Sequence, residues 1–137
     1  MTAFISHKLQ EAVFLLLSAD TTIGLKTTGI YDQPPQNAQY PYISMGDTAI
    51  QPADLKDRAG TRVSFDIVVW SNEPSQMETK ELMADVDMAF HQSSPQLPGF
   101  DLLDIRLLSA NVVRQYTDIG GLYRGRLNYT ALVYSLG

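Results

Sequence analysis

Few side chains in this sequence are of a type and spacing that could do chemistry. There are two histidines, His7 and His91, and no cysteine. Thiolate metal sites, disulfides and cysteine nucleophiles are therefore excluded. A zinc site built on the two histidines would need further ligands clustered at ligand spacing, and none stand there. Each histidine falls near the end of a predicted helix, where His91 can favour the negative end of the helix dipole. The carboxylates give no better centre. Asp85 and Asp87 form a D-x-D on a predicted helix, and residues two apart there point to different faces. Asp101 and Asp104 flank a strand start, and Asp66 is expected on the solvent face of its strand. A hydrolase with paired carboxylates needs both turned inward at a set separation, and no such pair is visible.

Nucleotide and acyl-transfer motifs are absent as well. The sequence has no G-x-S-x-G, no phosphate-binding loop and no dinucleotide fingerprint. Gly120-Gly121 reads as a hairpin turn. Asn128-Tyr129-Thr130 matches a glycosylation sequon but sits in a predicted strand. The reading that follows is of a non-enzymatic protein with no catalytic residue, cofactor or metal.

Five arginines, Arg62, Arg106, Arg114, Arg124 and Arg126, are expected along the outer face of a sheet. They read either as solvated surface or as partners for acidic faces of another subunit. A nucleic-acid platform is disfavoured, because Tyr123 and Tyr129 alternate onto the face opposite Arg124 and Arg126, and stacking needs aromatics beside the cations. The net charge of -5 points the same way.

The elements that would hold these residues form one domain over 1–137. Hydrophobic residues make up 45% and charged residues 18%, a globular balance. The apolar run from Ala12 to Leu17 is too short to cross a bilayer. No signal-peptide pattern is seen, so synthesis in the cytoplasm without a membrane partner is expected.

From Phe4, the residues Ile5, Leu9, Ala12, Val13, Leu16 and Leu17 recur at helical spacing, with Thr2 as N-cap and an end near Ser18. Phe14 and Leu15 widen the apolar arc. The helix is either deeply buried or packs its second face on a neighbouring subunit. A short strand at Ile30-Tyr31 leads through a Pro34-Pro35 loop to a strand over Tyr40–Ile50. Pro41 marks that strand's end or an edge. Gln51–Gly60 is a charged loop carrying Asp54, Lys56, Asp57 and Arg58.

Thr61–Trp70 alternates as a half-buried strand. Ser75 and Glu78 spell a capping box for a second helix, whose buried stripe is Leu82, Met83, Val86, Ala89 and Phe90. Leu102–Tyr116, with a bulge near Ser109-Ala110, and Leu122–Tyr134 form a long hairpin around Asp118-Ile119-Gly120-Gly121. The whole is an α+β domain. It should hold an antiparallel sheet of about four strands, two helices packed on one face, and a short hairpin or extended loop.

Several stretches then carry a resemblance. Leu9-Gln10-Glu11-Ala12 through Leu17-Ser18-Ala19-Asp20 leads to Ile30-Tyr31-Asp32, Pro34-Pro35 and Tyr40-Pro41-Tyr42-Ile43 with Gly46-Asp47. Val69-Trp70-Ser71 runs into the second helix, and Leu97-Pro98-Gly99 into the last strands. In this order the chain resembles the small tail-completion proteins of long-tailed phages and phage-derived gene transfer agents.

The resemblance implies a homo-oligomeric ring, six-membered in the family's pattern, at the head-proximal end of the tail of a virion or phage-like particle. The ring would stop growth of the tube, with the tail tube protein and a head-side stopper or connector as partners. DNA would pass without specific binding. A neighbouring head-tail stopper or minor tail protein, and more remotely a small-molecule-binding α+β domain, remain as alternatives. The resemblance assigns no catalytic residue. The interface candidates are Phe14 and Leu15 on the first helix, and Asp54, Lys56, Asp57 and Arg58 in the charged loop. Six copies would carry roughly -30 in charge, a lumen wall past which DNA could slide.

Overall fold

The structure is a computed structural model that describes residues 5–117 and 120–136. The N-cap expected at Thr2, the helix start at Phe4 and the turn residues Asp118 and Ile119 lie outside these. The elements in order are α1 (Ser6–Ser18), α2 (Thr21–Lys26), β1 (Ile30–Tyr31), β2 (Tyr42–Pro52), β3 (Gly60–Ser71), α3 (Met77–Gln92), β4 (Phe100–Thr117) and β5 (Gly120–Ser135).

The strands make one sheet in the order β1-β2-β3-β5-β4. The four long strands pair antiparallel, as expected. β1 adds a fifth and is parallel to β2, joining it only at Ile43 and Ser44. The reason is local: the chain returns from Tyr31 to Tyr42 through an open loop rather than a tight hairpin, so β1 and β2 run the same way.

Alternation decides which face is buried. Val63, Phe65, Ile67 and Val69 of β3 and Leu127, Tyr129, Ala131 and Val133 of β5 share the face that meets the helices. Leu9, Val13 and Leu17 of α1, Ile23 of α2, and Leu82 and Val86 of α3 complete that core. α2 is a helix not foreseen in the sequence. The Asp20 carboxylate accepts the Ile23 N–H at 3.0 Å and so caps a new turn just past the expected end of α1.

The expected capping box does not form: the helix is capped at Gln76, one residue later than Ser75, with no side-chain cap bond. Ser75 Oγ accepts from the Met77 N–H at 3.1 Å, but Glu78 turns away and accepts from Ser71 Oγ at 2.7 Å. Glu78 thereby ties α3 back to the end of β3 instead of closing its own first turn. The bulge expected near Ser109-Ala110 lies one step earlier, between Leu107 and Ser109, and a second occurs between Leu102 and Asp104.

Gly125 positions the third helix. It sits on the buried face of β5, opposite Val69. A Cβ there would stand 2.5 Å from Met83 Sδ and 2.7 Å from Thr79 Cγ2. Only glycine lets α3 lie this close to the sheet.

Candidate subunit interface

The carboxylates that sequence reading weighed for catalysis are tied into the fold. Asp85 pairs with Lys26 at 2.9 Å across α3 and α2. Asp87 points elsewhere, accepting from Tyr129 Oη at 2.8 Å while its other oxygen meets His91 Nε2 at 3.2 Å. The two thus diverge, as their spacing requires. Burial, and then the bond to Asp87, push the Tyr129 phenol well above its ordinary range.

Asp66 was expected in solvent. It does lie on the helix-free face, but it is only 5% exposed. Arg126 Nε and Asn128 Nδ2 each donate to it at 2.8 Å, which compensates the burial of its charge. The hydrogen bond to Asp66 raises the Arg126 guanidinium above its usual value. Among the described residues no group of three or more His, Asp or Glu side chains could hold a metal ion.

The arginines divide. By register Arg62, Arg106, Arg124 and Arg126 share the helix-free face. Arg114 does not. It aligns with Tyr123 and its guanidinium stacks on Tyr123 and Tyr116, each at 5.3 Å from the ring centre.

The expected separation of Tyr123 and Tyr129 from Arg124 and Arg126 holds, but aromatics from other elements do share the face of those arginines. Trp70 stands directly across from Arg124 on the helix-free face, stacked with Tyr42, whose ring in turn meets those of Tyr31 and Tyr40. Trp70 Nε1 donates to Ser44 Oγ at 2.9 Å. Sequence reading missed this cluster because it compared the arginines only with the tyrosines of their own strand. The run Tyr40-Pro41-Tyr42 was the available signal.

The apolar arc of α1 is split as its width suggested. Leu9, Ala12, Val13 and Leu17 are buried, while Phe14 is 37% and Leu15 58% exposed. Leu15 borders an open groove of about 500 Å³, lined further by Ala12, Leu16, Ala89, Pro95 and Gln96. Phe14 stands apart, beside a smaller depression of about 240 Å³ with His7, Glu11, Asp32 and Met45. By contrast, the space between α1 and the sheet is about 20 Å³, room for no more than a water molecule.

The charged loop between β2 and β3 is built rather than loose. Asp54 Oδ1 accepts from the Gly60 N–H at 2.8 Å, and the Leu55 N–H donates to the Arg58 carbonyl at 2.8 Å. Arg58 donates from Nε to the Ser135 carbonyl at 3.1 Å, pairs with Asp101 at 3.3 Å, and lies 5.0 Å from the Tyr134 ring centre. Of the four loop candidates, Lys56 and Asp57 therefore stand outward, whereas Asp54 and Arg58 serve the fold. Among the described residues, the depressions beside Leu15 and Phe14 include none of the loop candidates.

Residues 11–134 match the family described as "Tail completion protein gp17". A curated relative, the tail completion protein gp17 of Bacillus phage SPP1, is 24% identical over 117 residues, which cover 85% of this chain and 84% of the relative. Among solved structures, a chain of the virion of a native gene transfer agent particle superimposes with a TM-score of 0.84 at 24% identity. The match covers 98% of this chain and all of that one. The structure of the bacteriophage SPP1 gp17 protein gives 0.67 at 19% identity, covering 98% and 93%. These superpositions show a shared fold.

Proposed function

The chain belongs to the tail completion protein gp17 family, and from that membership we propose that it closes the tail tube by forming a ring of six copies. The family is a structural one, not enzymatic, and its relatives are components of phage and gene transfer agent particles, at the tail. On this reading one ring face meets the last tube ring and the other meets the head-side stopper or connector, with DNA passing through the middle. Closed cyclic symmetry would satisfy the subunit margins.

The observation that carries the reading is the outward pair on α1. On a helix that buries Leu9, Ala12, Val13 and Leu17, the exposed side carries the apolar Phe14 and Leu15, with an apolar groove open beside Leu15. Among the described residues the space between α1 and the sheet holds only about 20 Å³, which speaks against the small-molecule alternative. The net charge of -5 per copy supports a lumen that repels DNA.

Native mass spectrometry tests the proposal. A six-copy species is expected, alone or on mixing with the tube protein. A strict monomer in both conditions refutes it. Changing Phe14 and Leu15 together to serine tests the surface. Fully burying such side chains is worth about 1.5–3 kcal/mol each, and these are already partly covered. Each interface should therefore lose about 1–2 kcal/mol, roughly tenfold in association, with the circular dichroism spectrum unchanged. Unaltered assembly would remove the pair from the interface.

A further inference from the structure

We infer that β4 of one copy pairs, antiparallel, with the free stretch of β2 in the next copy, so that the sheet runs on from subunit to subunit. The inference rests on the ring reading above and names the contact that would hold the ring.

Three observations lead to it. First, β4 lies at the margin of the sheet, bonded to β5 on one side and to no strand on the other among the described residues. Both bulges fall in its first half. From Ser109 to Thr117 the register is uninterrupted, an open ladder of about 30 Å. The strand carries neither proline nor lysine, the residues that commonly protect an edge. It also shows Leu103, Leu107, Leu108, Val113 and Tyr116 at 36–78% exposure. An uncovered, regular ladder of this length, with Val113 and Tyr116 exposed on it, is a template for pairing with another chain.

Second, the opposite margin is open too. β1 covers β2 only at Ile43 and Ser44. The regular segment Thr48–Pro52, paired inward with Thr61–Phe65, has no strand on its outer side among the described residues. The molecule thus offers two unfilled ladders, one at each side of one sheet.

Third, the count of long strands is even. β2, β3, β5 and β4 alternate in direction across the sheet. A second copy added in the same orientation sets its β2 beside β4 running the opposite way. The alternation continues without a break, as in closed antiparallel barrels. An odd number would have forced a parallel join. Such a head-to-tail contact is heterologous and closes only as a ring. Pairing β4 with β4 about a two-fold axis would stop at two copies and leave β2 bare.

The absence of cysteine makes the test direct. Single-cysteine variants are made on the helix-free face of each margin: Val113→Cys and Gln115→Cys on β4, Ala49→Cys and Gln51→Cys on β2. Variants are mixed in pairs and oxidised. Adjacent strands bring Cα atoms within disulfide reach. At least one β4-with-β2 mixture is expected to give covalent dimer at tenfold or more over either variant alone. A product dominated by β4-with-β4 links overturns the inference in favour of a two-fold dimer. Absence of β4-with-β2 links in a sample whose wild type is a ring also overturns it and leaves the ring reading standing. A wild type that is monomeric alone and with the tube protein removes both. As a second probe, Val113→Lys combined with Tyr116→Lys should yield folded monomer. A ring persisting in that variant counts against the inference.

Discussion

Gly125→Ala is the sharpest probe of how the helix layer is seated. The added methyl would lie 2.5 Å from Met83 Sδ, 2.7 Å from Thr79 Cγ2 and 3.1 Å from Met83 Cγ. Ordinary carbon contacts are about 3.5–4.0 Å. Met83 has three rotatable bonds and can swing aside. Thr79 is fully buried on α3 and stiff at χ1, so the helix itself must lift by about 1 Å. Overpacking of this kind costs about 1–3 kcal/mol. The lost chain entropy of glycine returns about 0.4–1 kcal/mol. The net loss should be roughly 0.5–2 kcal/mol, or about 2–8 °C in Tm for a chain of this size. Urea and thermal unfolding measure it. Thr79→Ser removes the offending methyl, so a double-mutant cycle should show coupling above about 0.5 kcal/mol. A Gly125→Ala protein as stable as wild type, or strict additivity with Thr79→Ser, would refute the reasoning.

Two further outcomes follow from the same packing. Tyr129 is buried and its phenol is raised above its ordinary 10.0, so its share of stability is complete below that pH and is lost as pH climbs through the folded value. Unfolding free energy should stay level towards pH 10 and fall beyond it. Tyrosinate absorbance should show Tyr129 ionising only with unfolding, and Tyr129→Phe should reduce the alkaline slope, with burial of Tyr42 retaining part of it, at a cost of about 1 kcal/mol near neutrality. Arg58→Ala loses bonds to Ser135 and Asp101 and the stack on Tyr134. It should destabilise by about 1–2 kcal/mol and speed amide exchange near residues 100–101 and 135, whereas Lys56→Ala should stay within about 0.5 kcal/mol.

The long strands and two long helices were legible because alternation and 3.6-residue spacing are local signals. β3 shows this best, with Val63, Phe65, Ile67 and Val69 all on the core face. What failed to read was whatever a distant segment decides. Asp66 looks like a surface carboxylate until Arg126 and Asn128 arrive from β5, 60 and 62 residues later. Gly125 looks like a gap in a strand until α3 is laid over it. Arg58 looks like one more charge in a polar loop, yet its partners lie in β4 and β5. The Phe14-Leu15 arc could be read as surplus, but the groove beside Leu15 depends on residues 89–96, which no helical pattern in α1 announces.

The sheet order sets a timetable for folding. β5, the last strand, fills the gap between β3 and β4. β3 leaves the ribosome about 50 residues before β5 begins, some seconds at ordinary rates of synthesis. Throughout that interval the inner side of β3 has no strand to bond, although β2 can already pair with its outer side. β4 has no strand to bond until β5 is made, so the β4 margin is set only when the chain is nearly whole.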